Sequence, residues 1–189
     1  MTDNLEAWHT PPSQKIYHAA RGWNAAQHRY VRLHGGVDIY TQEHAEVYAC
    51  AAGKVVEYRD RFATGRDNIQ LAALAIEHTN TPVGKIIVRY CEMDPGAVPT
   101  ELKTLGATVT ARQIIGKTWP VIDVDDCMLH LETYRGTHTG DLSRPNAGEL
   151  ANITYKGRAV SQTQALTTRR ADQINPYDFL IACLNNSPE

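Results

Sequence analysis

The 189-residue chain is long enough to bury one hydrophobic core in a single domain. Its 42% hydrophobic and 21% charged residues are typical of an ordinary soluble globular protein. A formal net charge of -2, without a run of Lys and Arg, argues against nucleic-acid binding. No segment reaches the roughly 18 apolar residues that a membrane span needs, so no membrane partner is expected.

The N-terminal segment has no features of an export signal. Residues 1–9 are polar and acidic, without a basic start or an apolar core, which predicts synthesis in the cytoplasm. Residues 1–28 are interpreted as an arm, with Pro11-Pro12 and a short helix near Ser13–Ala20. Residues 29–189 are then expected to form a single domain.

From about Val31 the pattern predicts β-strands separated by turns. The predicted strands are Glu46–Cys50, Lys54–Tyr58, Ile69–His78, Lys85–Tyr90, Val109–Ile115 and Met128–Tyr134. The first two flank Ala51-Ala52-Gly53, which predicts a hairpin. Strands at this short spacing, with weak helical periodicity, predict a mainly β fold, an antiparallel sheet or barrel-like sandwich.

The C-terminal third begins with a polar excursion at about residues 137–168, which contains Gly and Pro and one small predicted hairpin. That hairpin pairs Ile153–Tyr155 with Arg158–Val160. Long loops in compact domains are often functional. A terminal helix is predicted at Tyr177–Leu184, directly after Asn175-Pro176.

The cysteines lie far apart and form no CxxC pair: Cys50, Cys91, Cys127 and Cys183. This spacing predicts isolated, mostly buried thiols rather than a cysteine zinc site. A Cys127 nucleophile is an alternative, but strand alternation places Cys127 on the face opposite His130.

The segment His34-Gly35-Gly36-Val37-Asp38 places a histidine and a carboxylate on either side of two glycines. Imidazole nitrogen and carboxylate oxygen are suitable zinc ligands. Strand alternation in Met128-Leu129-His130-Leu131-Glu132 points Met128, His130 and Glu132 to one face, so His130 is the strongest third candidate. Taken alone, HxxxD is a weak signal, and a strand histidine is more often structural.

Further motifs follow in a fixed order between Arg29 and Tyr134. V-x-A-x-x-x-G-x-V runs from Val47 to Val55, a strand ends at His78, and V-x-x-x-Q-x-I-G ends at Gly116. With the two histidine motifs, this order resembles the lysostaphin/LytM-type peptidoglycan endopeptidases. The resemblance implies Zn2+ held by His34, Asp38 and His130, a peptidoglycan peptide as substrate, and His78 near the metal but structural.

The chain departs from the family pattern at two catalytic positions. Glu92 stands where the family's Y-A-H-L strand has histidine, and Met128 stands at the first histidine of H-x-H. The family uses these histidines to activate water and to stabilise the oxyanion. Met128 neither transfers a proton nor donates a hydrogen bond, whereas Glu92 can act as the general base.

The chain is also similar to a subgroup with R-Y-G-E and M-L-H-F-E strands. The matching segments are Arg89-Tyr90-Cys91-Glu92, Met128-Leu129-His130 and Arg169-Arg170-Ala171-Asp172. Some members of that subgroup lack signal peptides and are associated with contact-dependent secretion. By analogy, action on a cell wall would involve a dedicated export system, with a secretion component or an immunity protein as partner.

Arg89 and Arg135 flank the two site strands and could bind an acidic carboxylate of the substrate, whereas His138 could reach the site by closure of the polar excursion. A surface salt bridge is the alternative for both arginines. The leading hypothesis is a zinc metallopeptidase that cleaves a peptidoglycan stem or crosslink amide, with Glu92 as catalytic base. The alternative is a catalytically silent module that binds cell-wall peptide or regulates another hydrolase, and a third is a structural protein with an empty site.

Overall fold

The computed structural model of the chain describes residues 20–24, 29–122, 127–137, 142, 154–155, 158–159, 170 and 172–185. The strands and the helix within these ranges are β1 Ala20–Asn24, β2 Arg29–Leu33, β3 Val37–Thr41, β4 Glu46–Tyr48, β5 Gly53–Thr64, β6 Gln70–His78, β7 Ile86–Met93, β8 Thr108–Val109, β9 Ile114–Lys117, β10 Cys127–Tyr134, β11 Thr154–Tyr155, β12 Arg158–Ala159, β13 Gln173–Ile174 and α1 Pro176–Asn185. The helix predicted near Ser13–Ala20 lies outside these ranges, except for Ala20, which begins β1.

The main sheet is antiparallel, in the order β13-β10-β7-β6-β5-β8. Strands β3 and β13 pair with the same edge of β10. Strand β3 pairs with its first half and β13 with its last two residues. Smaller two-stranded sheets join β1 with β2, β4 with β9, and β11 with β12. The predicted fold class is confirmed: mainly antiparallel β-sheet with a C-terminal helix, and the described strands close no barrel.

The two faces of the main sheet differ because successive strand residues point to opposite sides. One face carries the apolar core, to which Phe179 of α1 contributes. Its central residues are Val55, Leu74, Ile76, Val88, Tyr90 and Leu131. The opposite face carries polar residues at the centre of the sheet, among them His130, Glu132 and Arg89. The candidate site lies on this polar face.

The predicted hairpin around residues 51–53 is wrong in its pairing. Strand β4 pairs with β9, with Val47 opposite Gly116. The reason is that both edges of β5 are already used, since Gly53 pairs with His78 of β6 and with Val109 of β8. The sequence at residues 46–58 shows two strands but cannot show which neighbours occupy their edges.

The single strand predicted at Val109–Ile115 is also wrong, because two short strands, β8 and β9, replace it. Between them Arg112 adopts φ 63°, and the Gln113 amide donates to the Thr110 carbonyl over 3.2 Å. The Gln113 side-chain oxygen accepts from the Thr110 amide over 2.9 Å. A tight turn with its own hydrogen bonds therefore interrupts the apolar pattern.

The other predicted elements in the C-terminal part are confirmed. Strands β11 and β12 form the small hairpin in the excursion. Helix α1 begins at Pro176, where the side chain of Asn175 accepts a hydrogen bond from the Tyr177 amide over 3.1 Å. Within the described ranges, no helix is both long and apolar enough to cross a membrane.

Candidate metal centre

The loop before β3 approaches β10 so closely that it requires glycine. A Cβ at Gly36 would lie 2.2 Å from the Leu131 carbonyl oxygen and 2.9 Å from Nε2 of His130. The Gly35 carbonyl accepts a hydrogen bond from the buried Gln173 side chain, which fixes the loop from its other side. Gly36 thus lets the backbone lie against β10, where a side chain would collide.

Directly after this loop, β3 pairs with β10 so that Asp38 is opposite His130. Nε2 of His34 lies 3.0 Å from Oδ1 of Asp38 and 3.0 Å from Nδ1 of His130. Nδ1 of His130 lies 2.8 Å from the same Asp38 oxygen. Three potential ligand atoms therefore form a compact triangle, and the residues supplying them are almost fully buried.

The donor set and the spacing of this triangle fit a zinc ion. Two imidazole nitrogens and one carboxylate oxygen form a set common in catalytic zinc sites, which leave a further position open. Ligands about 2.0 to 2.2 Å from one tetrahedral ion lie roughly 3.3 to 3.6 Å apart. The distances in the triangle, 2.8 to 3.0 Å, would need to widen by roughly 0.3 to 0.8 Å to accommodate the ion.

The second ring nitrogen of His130 has a carboxylate partner. Nε2 lies 3.2 Å from Oε1 of Glu132, two residues along β10. When Nε2–H donates to Glu132, the lone pair of Nδ1 faces His34 and Asp38. A carboxylate behind a ligating histidine is a usual arrangement in zinc proteins, because it fixes the tautomer and the ring orientation.

Burial and hydrogen bonds strongly shift the pKa values of Asp38 and His130. Burial would raise the pKa of Asp38, but hydrogen bonds with His130 and His34 outweigh it and hold the pKa well below its usual range. Burial opposes the charged form of His130, yet hydrogen bonds with Asp38 and Glu132 raise its pKa to about 9. Both shifts favour a protonated His130 beside an ionised Asp38.

Glu92 occupies an irregular position on β7, next to the centre. Alternation along β7 places Cys91, opposite His130, on the site face, so a regular strand would turn Glu92 towards the core. A bulge interrupts the pattern: Ala73 pairs with Cys91 and Ala72 with Met93, which leaves Glu92 as the extra residue. Glu92 adopts φ 67°, and its charge contributes to the raised pKa of His130. Bulges of this kind redirect a side chain and are frequent beside active sites.

Met128 and Cys127 lie at the start of β10. Met128 is buried, in register with Tyr40 of β3, and precedes His130 by two residues on the same face. Cys127 is buried and pairs with Thr41, with its side chain directed to the opposite face by alternation. The thiol of Cys127 therefore lies on the face of the sheet opposite the metal triangle.

The remaining predicted site residues lie in different environments. Arg89, expected to contact substrate, is wholly buried, with its guanidinium bonded to Glu57 and Glu132. Arg135 is exposed just beyond the end of β10. His138 lies outside the described residues.

Glu132 and Arg89 were recognised in the sequence, but not their contact with each other. The sequence predicts Glu132 on the face of His130 and places Arg89 on another predicted strand. Opposite charges on two strands would have suggested a pair if the register between the strands had been known. That register is visible only in the structure, where Glu132 is directly opposite Arg89.

No protein-family model and no curated protein matches the sequence. Among solved structures, the chain is similar to a zinc-containing peptidase from Vibrio cholerae, at 24% identity and a TM-score of 0.44, over 62% of this chain and 31% of that one. It is similar to CbpA from L. salivarius REN at 14% identity and a TM-score of 0.49, over 94% and 91% of the two chains. The catalytic domain of the antimicrobial peptidase lysostaphin from Staphylococcus simulans is 19% identical, with a TM-score of 0.41, over 66% of this chain and 80% of that one.

Proposed function

We propose that this chain is a zinc-dependent peptidoglycan endopeptidase, related to the lysostaphin/LytM-type enzymes, that hydrolyses an amide of a stem peptide or crosslink. The observation that carries the proposal is the convergence of His34, Asp38 and His130, whose ligand atoms all lie within 4.8 Å of one another. The catalytic domain comprises residues 29–189, preceded by an arm at 1–28. Since peptidoglycan lies outside the cytoplasm, the proposal includes export by a dedicated system.

His34, Asp38 and His130 would hold the ion, which when bound polarises the scissile carbonyl and lowers the pKa of water to about 7. Glu92 accepts the proton of the attacking water at a carboxylate oxygen and passes it to the leaving amine. Its placement at a bulge with positive φ supports this role, because strained residues concentrate at active sites. Arg135 and His138 are the residues that we assign to substrate binding.

A second candidate function is a catalytically silent module that binds cell-wall peptide or regulates another hydrolase. The buried Met128 favours this function, because it lies on the site face where the resembled family has a histidine. A thioether offers only a weak acceptor and no proton for a developing oxyanion. The two functions share the same metal ligands and differ in whether an amide bond is broken.

The test is digestion of purified peptidoglycan by the zinc-loaded chain, with soluble products identified by mass spectrometry. We expect muropeptides whose new termini identify the cleaved amide, and we expect none from a His34→Ala variant. A His44→Ala variant is the matched control, because His44 is exposed and lies outside the triangle.

Stoichiometric zinc without any soluble product would overturn the endopeptidase. Sedimentation with peptidoglycan would in that case support the binding module. Absence of zinc binding by the wild-type chain would overturn both functions, since each is built on the three ligands.

A further inference from the structure

Beneath the metal centre, a row of side chains crosses four strands of the main sheet. Glu132 of β10 pairs with Arg89 of β7, Arg89 with Ala75 of β6, and Ala75 with Glu57 of β5. All these residues point to the polar face, because paired residues of neighbouring strands share a face. The row therefore places one cation between two carboxylates.

Glu132 is wholly buried, and both of its carboxylate oxygens have partners. Oε1 accepts from Nε2 of His130 over 3.2 Å. Oε2 accepts from Nη1 of Arg89 over 3.1 Å and from the Tyr134 hydroxyl over 2.7 Å. A carboxylate held by three donors has little freedom to turn, so it fixes the direction in which the His130 ring faces.

Arg89 is also wholly buried, and its guanidinium reaches in two directions. Nη1 bonds Glu132, while Nη2 donates to Oε1 of Glu57 over 2.7 Å. The small side chain of Ala75 leaves room for the second contact, because Ala75 lies between Arg89 and Glu57 in the register. The Phe62 ring covers the guanidinium at 4.9 Å from its centroid and stacks on the His130 ring at 6.1 Å.

Hydrogen bonds connect this row to the loop that carries His34. The Tyr134 hydroxyl, which donates to Glu132, lies 3.4 Å from Nε2 of Gln173. The same Gln173 nitrogen donates to the carbonyl of Gly35, the residue after His34. His130 and the loop of His34 are thus held by one connected set of hydrogen bonds.

We infer that Glu132 and Arg89 are positioning residues for the metal centre: Glu132 orients Nδ1 of His130 towards the ion, and Arg89 acts through Glu132 by holding its carboxylate in place. The inference rests on the proposed metal site. It assigns Arg89 to the support of the ligand His130 instead of to a contact with substrate. Arg89 also supplies a positive charge beside the buried Glu132 and the partly buried Glu57, in a site that already contains Asp38. Neither residue touches substrate in this arrangement.

The experiment measures zinc affinity of the full chain by competition with a chromophoric chelator, for wild type and Glu132→Gln. We expect the variant to bind zinc about 10- to 100-fold more weakly, as is usual when a carboxylate behind a ligating histidine is lost. Glu77→Gln is the matched control, because this glutamate lies on β6 in a partly exposed ion pair with Lys85. The control should bind zinc like wild type, and equal affinity for all three proteins would overturn the inference.

Arg89 is tested by a double-mutant cycle with Arg89→Lys and Glu132→Gln. Because Arg89 acts through Glu132, the two losses in zinc affinity should not add in the double variant. Fully additive losses would overturn the positional link between them. Lysine retains the positive charge but cannot reproduce the guanidinium contact in two directions, so the variant tests that contact without leaving the carboxylates uncompensated.

The NMR signal of the His130 ring distinguishes the positioning role of Glu132 from a purely structural role. In zinc-loaded wild type, nitrogen-resolved NMR should show a hydrogen-bonded proton on Nε2, and in Glu132→Gln this proton should shift upfield. An unchanged signal would overturn the inference even if the variant were less stable. Failure of the wild-type chain to bind zinc would instead overturn the proposed function, and the positioning role with it.

Discussion

His78 and His130 are buried histidines on strands of the same sheet, and each is packed against a glycine. A Cβ at Gly53 would lie 2.4 Å from the carbonyl oxygen of Glu77 and 2.9 Å from Nδ1 of His78. In the same way, a Cβ at Gly36 would lie 2.2 Å from the carbonyl oxygen of Leu131 and 2.9 Å from Nε2 of His130. Backbone packing around the two rings is therefore alike, and their chemical difference comes from their partners.

The partners of His78 are neutral. Nδ1 lies 3.2 Å from the carbonyl of Ala52, and Nε2 lies 3.2 Å from the hydroxyl of Tyr90. Burial lowers the pKa of His78, and the bond to the Ala52 carbonyl opposes that shift only in part. His130 has two carboxylate partners, and its pKa is raised. A buried histidine is thus a neutral core residue or a candidate metal ligand according to the carboxylates within reach.

The largest effect is expected from removal of the carboxylate that His34 and His130 share. Structural zinc sites bind their ion with about 10–16 kcal/mol. If this free energy is divided over three or four ligands, removal of one ligand lowers the zinc affinity roughly a thousandfold. We expect Asp38→Ala to lose zinc by about that factor in a chelator competition assay. Asp178→Ala, in the first turn of α1, is the control and should retain wild-type affinity. Tight zinc binding by Asp38→Ala would remove Asp38 from the ligand set.

The proposed base is tested by Glu92→Gln, which preserves size and removes the proton acceptor. General-base catalysis contributes typically about 10²- to 10⁴-fold, so peptidoglycan turnover should fall by at least about a hundredfold. Zinc content should remain stoichiometric, because Glu92 is outside the ligand triangle. Product release is followed by mass spectrometry over time, and turnover equal to wild type would exclude Glu92 as the base.

Gly36 and Gly53 offer a direct test of the close backbone packing around His130 and His78. Gly36→Ala and Gly53→Ala should each destabilise the fold by about 1–3 kcal/mol, because the added Cβ collides with backbone oxygen. Urea unfolding in a chelator measures this loss. Only Gly36→Ala should also weaken zinc binding, since only its loop carries a ligand. Gly96→Ala, in an exposed loop where the nearest atom is a flexible side-chain oxygen at 3.2 Å, should be close to neutral.

The metal triangle could be predicted because the resemblance to the lysostaphin/LytM-type enzymes joins two local patterns that are weak signals on their own. The two glycines between His34 and Asp38 let the backbone of that loop fold back, and alternation along β10 places His130 and Glu132 on one face. The placement of Glu92 could not be derived from periodicity, because a bulge reverses the alternation at that residue. A bulge depends on the partner strand, and no local pattern in residues 86–93 specifies it.

Pairing between distant strands was the other part that the sequence left open. The partner of β4 is β9, which follows it by more than sixty residues, and the intervening strands determine which edges remain available. The same limit hid the contact between Arg89 and Glu132. Strand positions and faces follow from local periodicity, whereas buried charge pairs require the register of the whole sheet.

The smallest expected effect concerns the pH dependence of stability through His78. An unfolded chain binds a proton at a histidine of ordinary pKa, about 6.5, whereas folded His78 has a lowered pKa. Between these values the unfolded state binds more protons, so the stability that neutral His78 contributes is lost as the pH falls below about 6.5. The slope from one such group is at most about 1.4 kcal/mol per pH unit.

We expect wild type to lose more stability than His78→Gln between pH 7.5 and pH 5.5, measured by urea unfolding in a chelator. The contribution of His130 is common to both proteins and cancels in this difference. His44→Gln is the matched control for the replacement of a histidine at an exposed position. An equal loss in wild type and His78→Gln would show that His78 is protonated as readily in the fold as in the unfolded chain. The contrast between a neutral and a carboxylate-bound histidine would then have to be attributed to His130 alone.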